Sequence, residues 1–545
     1  MTAFVTINTR TATVQPGSTL FDAAETAGVD IPSSCRRQGR CRECLVEIVE
    51  GMDCLTPRAP EEQHLKGDFR LACRCAVATA DAVVRGHTLR RGQMQIQATA
   101  LNLPTRAAQL DPAVSRDGSR VLIDGEEVDS YEGHVHGVAI DIGTTTVVAR
   151  ALDLSTGATV GTVSFENPQR FGGTDVMARI QYDTDNQGRL LQRTLLGYLS
   201  RALEQLPIDP RSIYEFAVVG NSTMRDLFFG LDVQSIGQKP YWSVTQRDLV
   251  EGRRLSTAIS KPARELRLRG NPAARVYGLP VVGGHVGADA AACLLALQPH
   301  LDNRLVAIMD IGTNTELFIG NRDKLVAASC PAGPAFEGRG ITCGMPALDG
   351  AIARVTLDAD GRALTQVIGG GAPQGICGSG LVDLVGELLR TERMNRFGRF
   401  TDDASTFVVD REHSIVLRES DVNELAQAKG ANVAGLLCAA RSFGCTLDDL
   451  DTFYLAGGFG QYLDIEAAKR IGLIPDLPTE KIVQVGNTAI EGATMALLSR
   501  ARRRELEELV KRVQHVELET DPLFFDHFVT GCQFHPVAAE EESWT

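Results

Sequence analysis

Cys35, Cys41 and Cys44 stand in the spacing C-x5-C-x2-C, and Cys73 follows in the run Arg-Leu-Ala-Cys. Six of the chain's thirteen cysteines precede residue 76 and the other seven are scattered. Clustered thiols of this kind read as a metal site rather than a disulfide framework. Three thiolates from one short loop and a fourth from a distant segment suit a [2Fe–2S] cluster. Gly39, Ser33 and Ser34 let the backbone wrap close to such an anionic core. The competing assignment is structural zinc on Cys41, Cys44, Cys73 and Cys75, which would leave Cys35 idle. Cys54 and Cys75 otherwise read as small buried or edge thiols. Arg36, Arg37, Arg40, Arg42 and Arg74 sit within one or two residues of these ligands. They form either a plain solvated loop or a basic rim fit for an acidic redox partner.

A second kind of chemistry starts at residue 137. An apolar strand ends in Asp141-Ile-Gly143-Thr144-Thr145, and the same unit recurs as Asp310-Ile-Gly312-Thr313-Asn314, 169 residues later. Glycine admits a phosphate, amides and hydroxyls bond it, and the aspartate handles Mg²⁺ or its waters. One such turn is weak evidence; two at a fixed position in a repeat are strong. A third glycine-rich turn, Leu455-Ala-Gly457-Gly458-Phe-Gly460, follows another apolar segment. No GxxxxGK[ST] occurs, nor GxGxxG after a strand. The segments resemble the acetate and sugar kinase, heat-shock protein and actin superfamily, with residues 218–223 and 486–493 as its two connecting segments. That resemblance implies ATP held with Mg²⁺ between Asp141 and Asp310. Gly143, Thr144, Thr145, Gly312, Thr313 and Asn314 would lie on the phosphates, and Gly457 and Gly458 on the adenosine.

The remaining candidates carry less. His134 and His136 share one strand face and read as strand-edge histidines or a metal pair. His285 lines the cleft or caps a helix. The Gly/Pro-rich run 329–340 reads as a functional loop, and 377–383 as a turn into a helix with a possible phosphate or partner contact. Residues 500–512 form a charged amphipathic helix, read as a solvated face, and the acidic tail 540–542 a frayed end.

Around the cysteines the pattern is a strand at 3–8, a turn at Pro16-Gly17, a helix at 19–27 opened by a Thr19/Asp22 capping box, and a strand at 45–49. This resembles plant-type and adrenodoxin-type ferredoxins, a β-grasp with the cluster in a surface loop. Residues 1–92 are therefore expected as a ferredoxin-like domain and 93–135 as a linker with a short hairpin. Residues 136–215 form a middle segment with the first phosphate loop, and 216–545 the rest of an actin-like ATPase domain. The fold class is α/β multidomain, with duplicated ribonuclease-H-like lobes implied by the superfamily. The 545 residues carry a net charge of −14, which argues against nucleic acid as a partner. No run of 18 apolar residues predicts a membrane span, and the strand-like N-terminus is no secretory leader, so a cytoplasmic protein is expected.

A one-electron carrier fused to an ATP cleft is more specific than either half. The chain resembles the reductive activators of corrinoid proteins. The likeness rests on the four-cysteine spacing, both DIGT loops, GNST, AGPAFEG, CGSG, LAGGFG and GNTA. It implies ATP-dependent transfer of one electron from the [2Fe–2S] cluster to Co(II) of a corrinoid protein, regenerating Co(I) for methyl transfer. It also implies an upstream flavin or ferredoxin-type reductant and a homodimer. An electron donor to a different enzyme and a small-molecule kinase with a regulatory cluster are the alternatives.

Overall fold

The computed structural model describes residues 2–89, 103, 110–131, 133–401 and 404–537. Part of the expected linker (93–102, 104–109 and 132) and the acidic tail 540–542 lie outside them. In the strand Ala3–Ile7, Ala3, Val5 and Ile7 are buried and alternate with more open positions, the period of a half-covered strand. It lies second from the edge of a five-stranded sheet ordered Arg10–Val14, Ala3–Ile7, Val83–Thr88, Leu45–Glu50, Phe69–Leu71. Ala3–Ile7 and Val83–Thr88 run parallel, the other pairs antiparallel. The helix Leu20–Thr26 opens on the expected reciprocal capping box between Thr19 and Asp22 and buries Leu20, Ala23 and Ala24. The β-grasp domain is thus present, with the thiol loop between this helix and the strand Leu45–Glu50.

Two six-stranded sheets follow the same plan. In the first, His136–Ile142 is flanked by its hairpin partner Thr146–Asp153, then Thr159–Glu166, and on its other side by the parallel strand Ile213–Gly220. In the second, Val306–Ile311 has the corresponding neighbours Thr315–Gly320, Leu325–Cys330 and the parallel Thr452–Ala456. Thr146–Asp153 and Ile213–Gly220 are buried along their whole length, as strands covered on both faces are. Asp141 and Asp310 are the only residues of their strands that are not fully buried. The expected division at 215/216 runs through Ile213–Gly220, which hydrogen-bonds to His136–Ile142 on one side and Arg275–Gly278 on the other, so residues on both sides of it belong to one sheet. The end of the expected linker also differs from the single hairpin: Val114–Asp117, Arg120–Ile123 and Glu126–Ser130 form a three-stranded antiparallel sheet.

Two helices join the lobes. Ala288–Leu297 leaves the first lobe just before the second sheet begins, and Thr488–Leu498 returns from the second sheet to pack on it and on the strand His136–Ile142. They approach so closely that a Cβ on Gly492 would lie 2.0 Å from the Ala292 carbonyl oxygen. A smaller sheet (Ala351–Leu357, Ala363–Val367, Gly375–Ile376) carries the helix Gly378–Arg390 beside the cleft. Among the described residues no helix is long and apolar enough to cross a membrane.

Candidate functional site

The thiol loop is wound by left-handed residues: Arg36, Arg37, Gly39 and Arg42 have φ between 53° and 72°. This turns backbone N–H groups inward. Burial works against ionising Cys35, yet hydrogen bonds from the backbone of Cys41, Arg40 and Gln38 and from the Cys41 thiol bring it down to about 7. Cys44 and Cys73 lie with sulfurs 3.3 Å apart, and Ala72 N donates to Cys44 O (2.8 Å). Their coupling lowers Cys73, mainly through the hydrogen bond from Cys44, which is itself held strongly protonated. The four thiols therefore form two pairs, Cys35/Cys41 and Cys44/Cys73. Among the described residues no three Cys, His, Asp or Glu side chains converge as a lone metal ion requires. Two thiol pairs within a cradle of amides fit the four thiolates that a [2Fe–2S] core would need. Cys75 faces elsewhere: it is fully buried, pushed up to about 12 by burial, and has Arg70, Glu62 and Arg58 as its charged neighbours. The set that zinc would need is not assembled.

The arginine rim is only partly free. Arg37 pairs with Asp22 (3.0 Å) and Glu25 (2.7 Å) and lies over Phe21; Arg74 pairs with Glu61 (2.9 Å). Arg42 is half-buried beside Arg193. Arg36 and Arg40 are exposed. Glu43, next to a ligand, ties the loop to the first lobe. It accepts from Ser34 Oγ (2.5 Å), pairs with Arg201 (3.2 Å), and its carbonyl accepts from Tyr198 Oη (2.9 Å).

The two DIGT turns face each other across a cavity of about 130 Å³. Asp141, Gly143, Thr144, Thr145, Gly312, Thr313, Asn314, Gly457 and Gly458 all line it with Asp310. Thr145 Oγ1 and Thr313 Oγ1 are 3.3 Å apart although 168 residues separate them in sequence. Gly457 (φ +87°) leaves no room for a side chain: a Cβ would lie 2.8 Å from Asp310 Oδ1. Thr145, Glu337, Gly458 and Phe459 also line a second, mainly apolar cavity of about 360 Å³, where Phe336 and Phe459 lie 5.6 Å apart and Tyr462 and Leu463 close the wall. A polar compartment continuous with an apolar one suits a polyphosphate joined to a flat base.

Several residues of the cleft escaped the sequence reading. Asp289, at the start of the helix Ala288–Leu297, and Glu316, in the second DIGT hairpin, join Asp141 and Asp310 in the same cavity. Burial raises Asp141 to about 6 and Asp310 to about 7. Burial, then the charges of Asp141 and Asp310, raise Asp289 to about 8, and Glu316 is also held well up. Crowded carboxyls of this kind call for a cation. Asn487 donates to Asp141 Oδ2 (2.9 Å), and Asn221 donates to Thr144 Oγ1 (3.0 Å). These two belong to the connecting segments expected from sequence. Glu337, from the 329–340 loop, accepts from both Thr145 and Thr313. Cys377, Gly378 and Ser379 line the apolar cavity, so that turn contacts the cleft.

The histidines have other partners. His134 pairs with Asp153 (2.8 Å) and His136 with Ser212 (2.7 Å). His285 packs on Tyr241 in a separate cavity with His515. The charged helix Arg500–Arg512 is not wholly solvated, because Arg503 makes a buried fork on Glu215 (2.9 and 2.7 Å).

Three family descriptions match the chain: a 2Fe-2S iron-sulfur cluster binding domain over residues 4–78, the RACo middle region over 136–302, and the C-terminal ASKHA domain of RACo over 304–542. The corrinoid activation enzyme RamQ of Eubacterium limosum is 28% identical across 96% of this chain and 97% of its own length. The [Co(II) methylated amine-specific corrinoid protein] reductase of Methanosarcina barkeri is 26% identical over 73% of the chain and 77% of its own. The solved structure of a reductive activator for corrinoid, iron-sulfur protein superposes with a TM-score of 0.72 at 29% identity, covering 98% of both chains.

Proposed function

The chain belongs to the RACo family, and from that premise we propose that it is an ATP-dependent reductive activator of a corrinoid protein. Its role is to return an oxidised Co(II) corrinoid to Co(I) so that methyl transfer can resume. The observation that carries this reading is the presence, in one chain, of a paired-thiol loop and a two-compartment nucleotide cleft built on duplicated lobes.

When bound, the [2Fe–2S] cluster supplies one electron at a time at low potential, about −400 mV in plant-type ferredoxins. Cys35, Cys41, Cys44 and Cys73 hold it, and the loop amides offset its negative charge. In the cleft, Thr144, Thr145, Thr313 and Asn314 bind phosphates, and Gly143 and Gly312 let the chain approach them. Gly457 and Gly458 border the adenosine. Asp141 and Asp310, with Asp289 between them, hold Mg²⁺ and orient the attacking water. ATP closing the lobes favours a form that binds the Co(II) corrinoid partner better than its Co(I) product, and hydrolysis resets the complex. Residues 1–92 carry the electron and those from 136 onward the nucleotide. A flavin or ferredoxin-type reductant upstream, a homodimer and a cytoplasmic setting complete the reading.

The test is an anaerobic titration of reduced protein with a Co(II) corrinoid protein, following Co(I) absorbance with and without Mg·ATP. Co(I) should accumulate only with ATP, and Asp310→Asn should slow it about 100-fold or more while leaving the cluster's absorbance intact. Equal accumulation without ATP, or an unaffected Asp310→Asn variant, would overturn the reading.

A further inference from the structure

Between the iron–sulfur domain and the nucleotide cleft lies a line of alternating charges drawn from three parts of the chain. Glu47, on the ferredoxin strand Leu45–Glu50, accepts from Arg170 Nη2 (2.9 Å). Arg170 Nη1 donates to Glu166 Oε1 (2.5 Å), and the same oxygen accepts from Arg339 Nη2 (2.9 Å). Arg170, Glu166 and Arg339 are largely buried. Arg339 stands two residues after Glu337, whose carboxylate accepts from the phosphate-facing hydroxyls of Thr145 and Thr313 (3.0 Å for the latter). Gly338 and Gly340, both left-handed (φ +77° and +75°), bracket Arg339.

Two features mark the arrangement as one of two states. First, Glu337 holds the hydroxyls that the proposed function gives to a polyphosphate. A carboxylate and a phosphate compete there and repel each other, so a bound nucleotide must displace it. Second, the line is incompletely bonded. Arg170 Nε and Arg339 Nε, and both amide atoms of fully buried Gln169, have no hydrogen-bond partner. Unsatisfied buried donors are costly and rare, and they cluster here at one junction. If Arg339 follows Glu337 away, Glu166 can take Arg170 as a fork through Nε and Nη, satisfying the orphaned donor and drawing Arg170 off Glu47.

We propose that the Glu47–Arg170–Glu166–Arg339 line reports occupancy of the nucleotide cleft to the iron–sulfur domain, loosening that domain from the first lobe when a nucleotide displaces Glu337. The inference rests on the nucleotide reading above and adds the route by which the two halves communicate. Arg170 and Arg339 are positioning residues in this scheme: neither touches a ligand of the cluster. By linkage, a contact that the nucleotide must break weakens nucleotide binding, so removing the contact strengthens it.

The test uses the full cluster-loaded protein under anaerobic conditions with Mg²⁺ and a non-hydrolysable ATP analogue. Calorimetry measures binding, and hydrogen–deuterium exchange follows peptides covering 45–50 and 168–172. In the native protein the analogue should raise exchange in both peptides about tenfold. Glu47→Gln, at the outer end of the line, should show that raised exchange without analogue, gain nothing when it is added, and bind the analogue about fivefold more tightly. Arg339→Gln should reproduce the loss of response from the other end. Analogue binding with unchanged exchange in the native protein would overturn the proposal, as would a Glu47→Gln variant with native affinity and a native increment. An analogue that does not bind the native protein at all would remove the nucleotide reading itself, and this inference with it.

Discussion

Asp289 comes from the first turn of a lobe-crossing helix and meets Asp141 and Asp310 only after both lobes have formed. Its carboxyl is pushed up to about 8 by burial first and by those two neighbours second. An unfolded aspartate titrates near 3.9, so the folded chain binds these protons more tightly. Stability from that source is fully present below about pH 4 and is lost as pH rises through about 6 to 8, the range of Asp141, Asp310 and Asp289. Asp289→Asn should therefore raise the Tm of the Mg²⁺- and nucleotide-free protein at pH 8 and flatten its fall between about pH 5.5 and 8. It should also abolish the stabilisation by Mg²⁺. Melting curves with and without EDTA check both, and an unchanged slope would show that the carboxyls are not the source. Cys35, Cys41 and Cys44 and both DIGT turns stand out in the sequence because their members are close together, whereas Cys73 joins them only as the distant fourth thiol that a [2Fe–2S] cluster asks for. Asp289 and Glu316 were not, since nothing local distinguishes an aspartate at a helix start or a glutamate in an apolar strand from an ordinary one.

The helices Ala288–Leu297 and Thr488–Leu498 cross with almost no clearance at Gly492. A methyl group there would meet the Ala292 carbonyl at 2.0 Å, so Gly492→Ala must push the two helices apart. The expected cost is about 1–3 kcal/mol by urea unfolding, as for other overpacked cores, together with weaker nucleotide binding because both lobes hang from this crossing. Native stability in that variant would mean that the helices slide freely. At this scale the repeated strand–turn–strand units were readable, because each repeats an apolar run and the same turn. The expected division at 215/216 cuts the strand Ile213–Gly220 because that strand pairs in parallel with His136–Ile142 across two intervening strands and two helices, a non-local partnership with no turn to announce it. The strand Glu126–Ser130 was missed for another reason. It is almost wholly polar and forms because Asp124 and Gly125, both left-handed, fold it back on Arg120–Ile123.

Seen whole, the molecule is acidic except around its thiol loop: the first 100 residues hold twelve Lys and Arg against eleven Asp and Glu, leaving about −15 for the remainder. Arg37 and Arg74 are also exposed but paired with carboxylates, which leaves Arg36 and Arg40 as the rim positions to test. Reversing both to Glu should slow electron entry from an acidic reductant about tenfold at low ionic strength, with the difference vanishing at high salt. Stopped-flow reduction across a salt series checks this, and identical salt dependence in the two proteins would reduce the rim to a solvated loop. One feature of the architecture reaches beyond catalysis. The helix Thr488–Leu498 packs on the first lobe's central strands, Glu491 pairs with Arg150 (2.6 Å), and Arg503 closes on Glu215 in the strand Ile213–Gly220. A ribosome must therefore translate some 500 codons before a sheet begun at residue 136 receives its last cover. Throughout that interval the first lobe's sheet lacks the cover that Thr488–Leu498 supplies, so its packing is completed only when the second lobe is made, and the two lobes mature together rather than in turn.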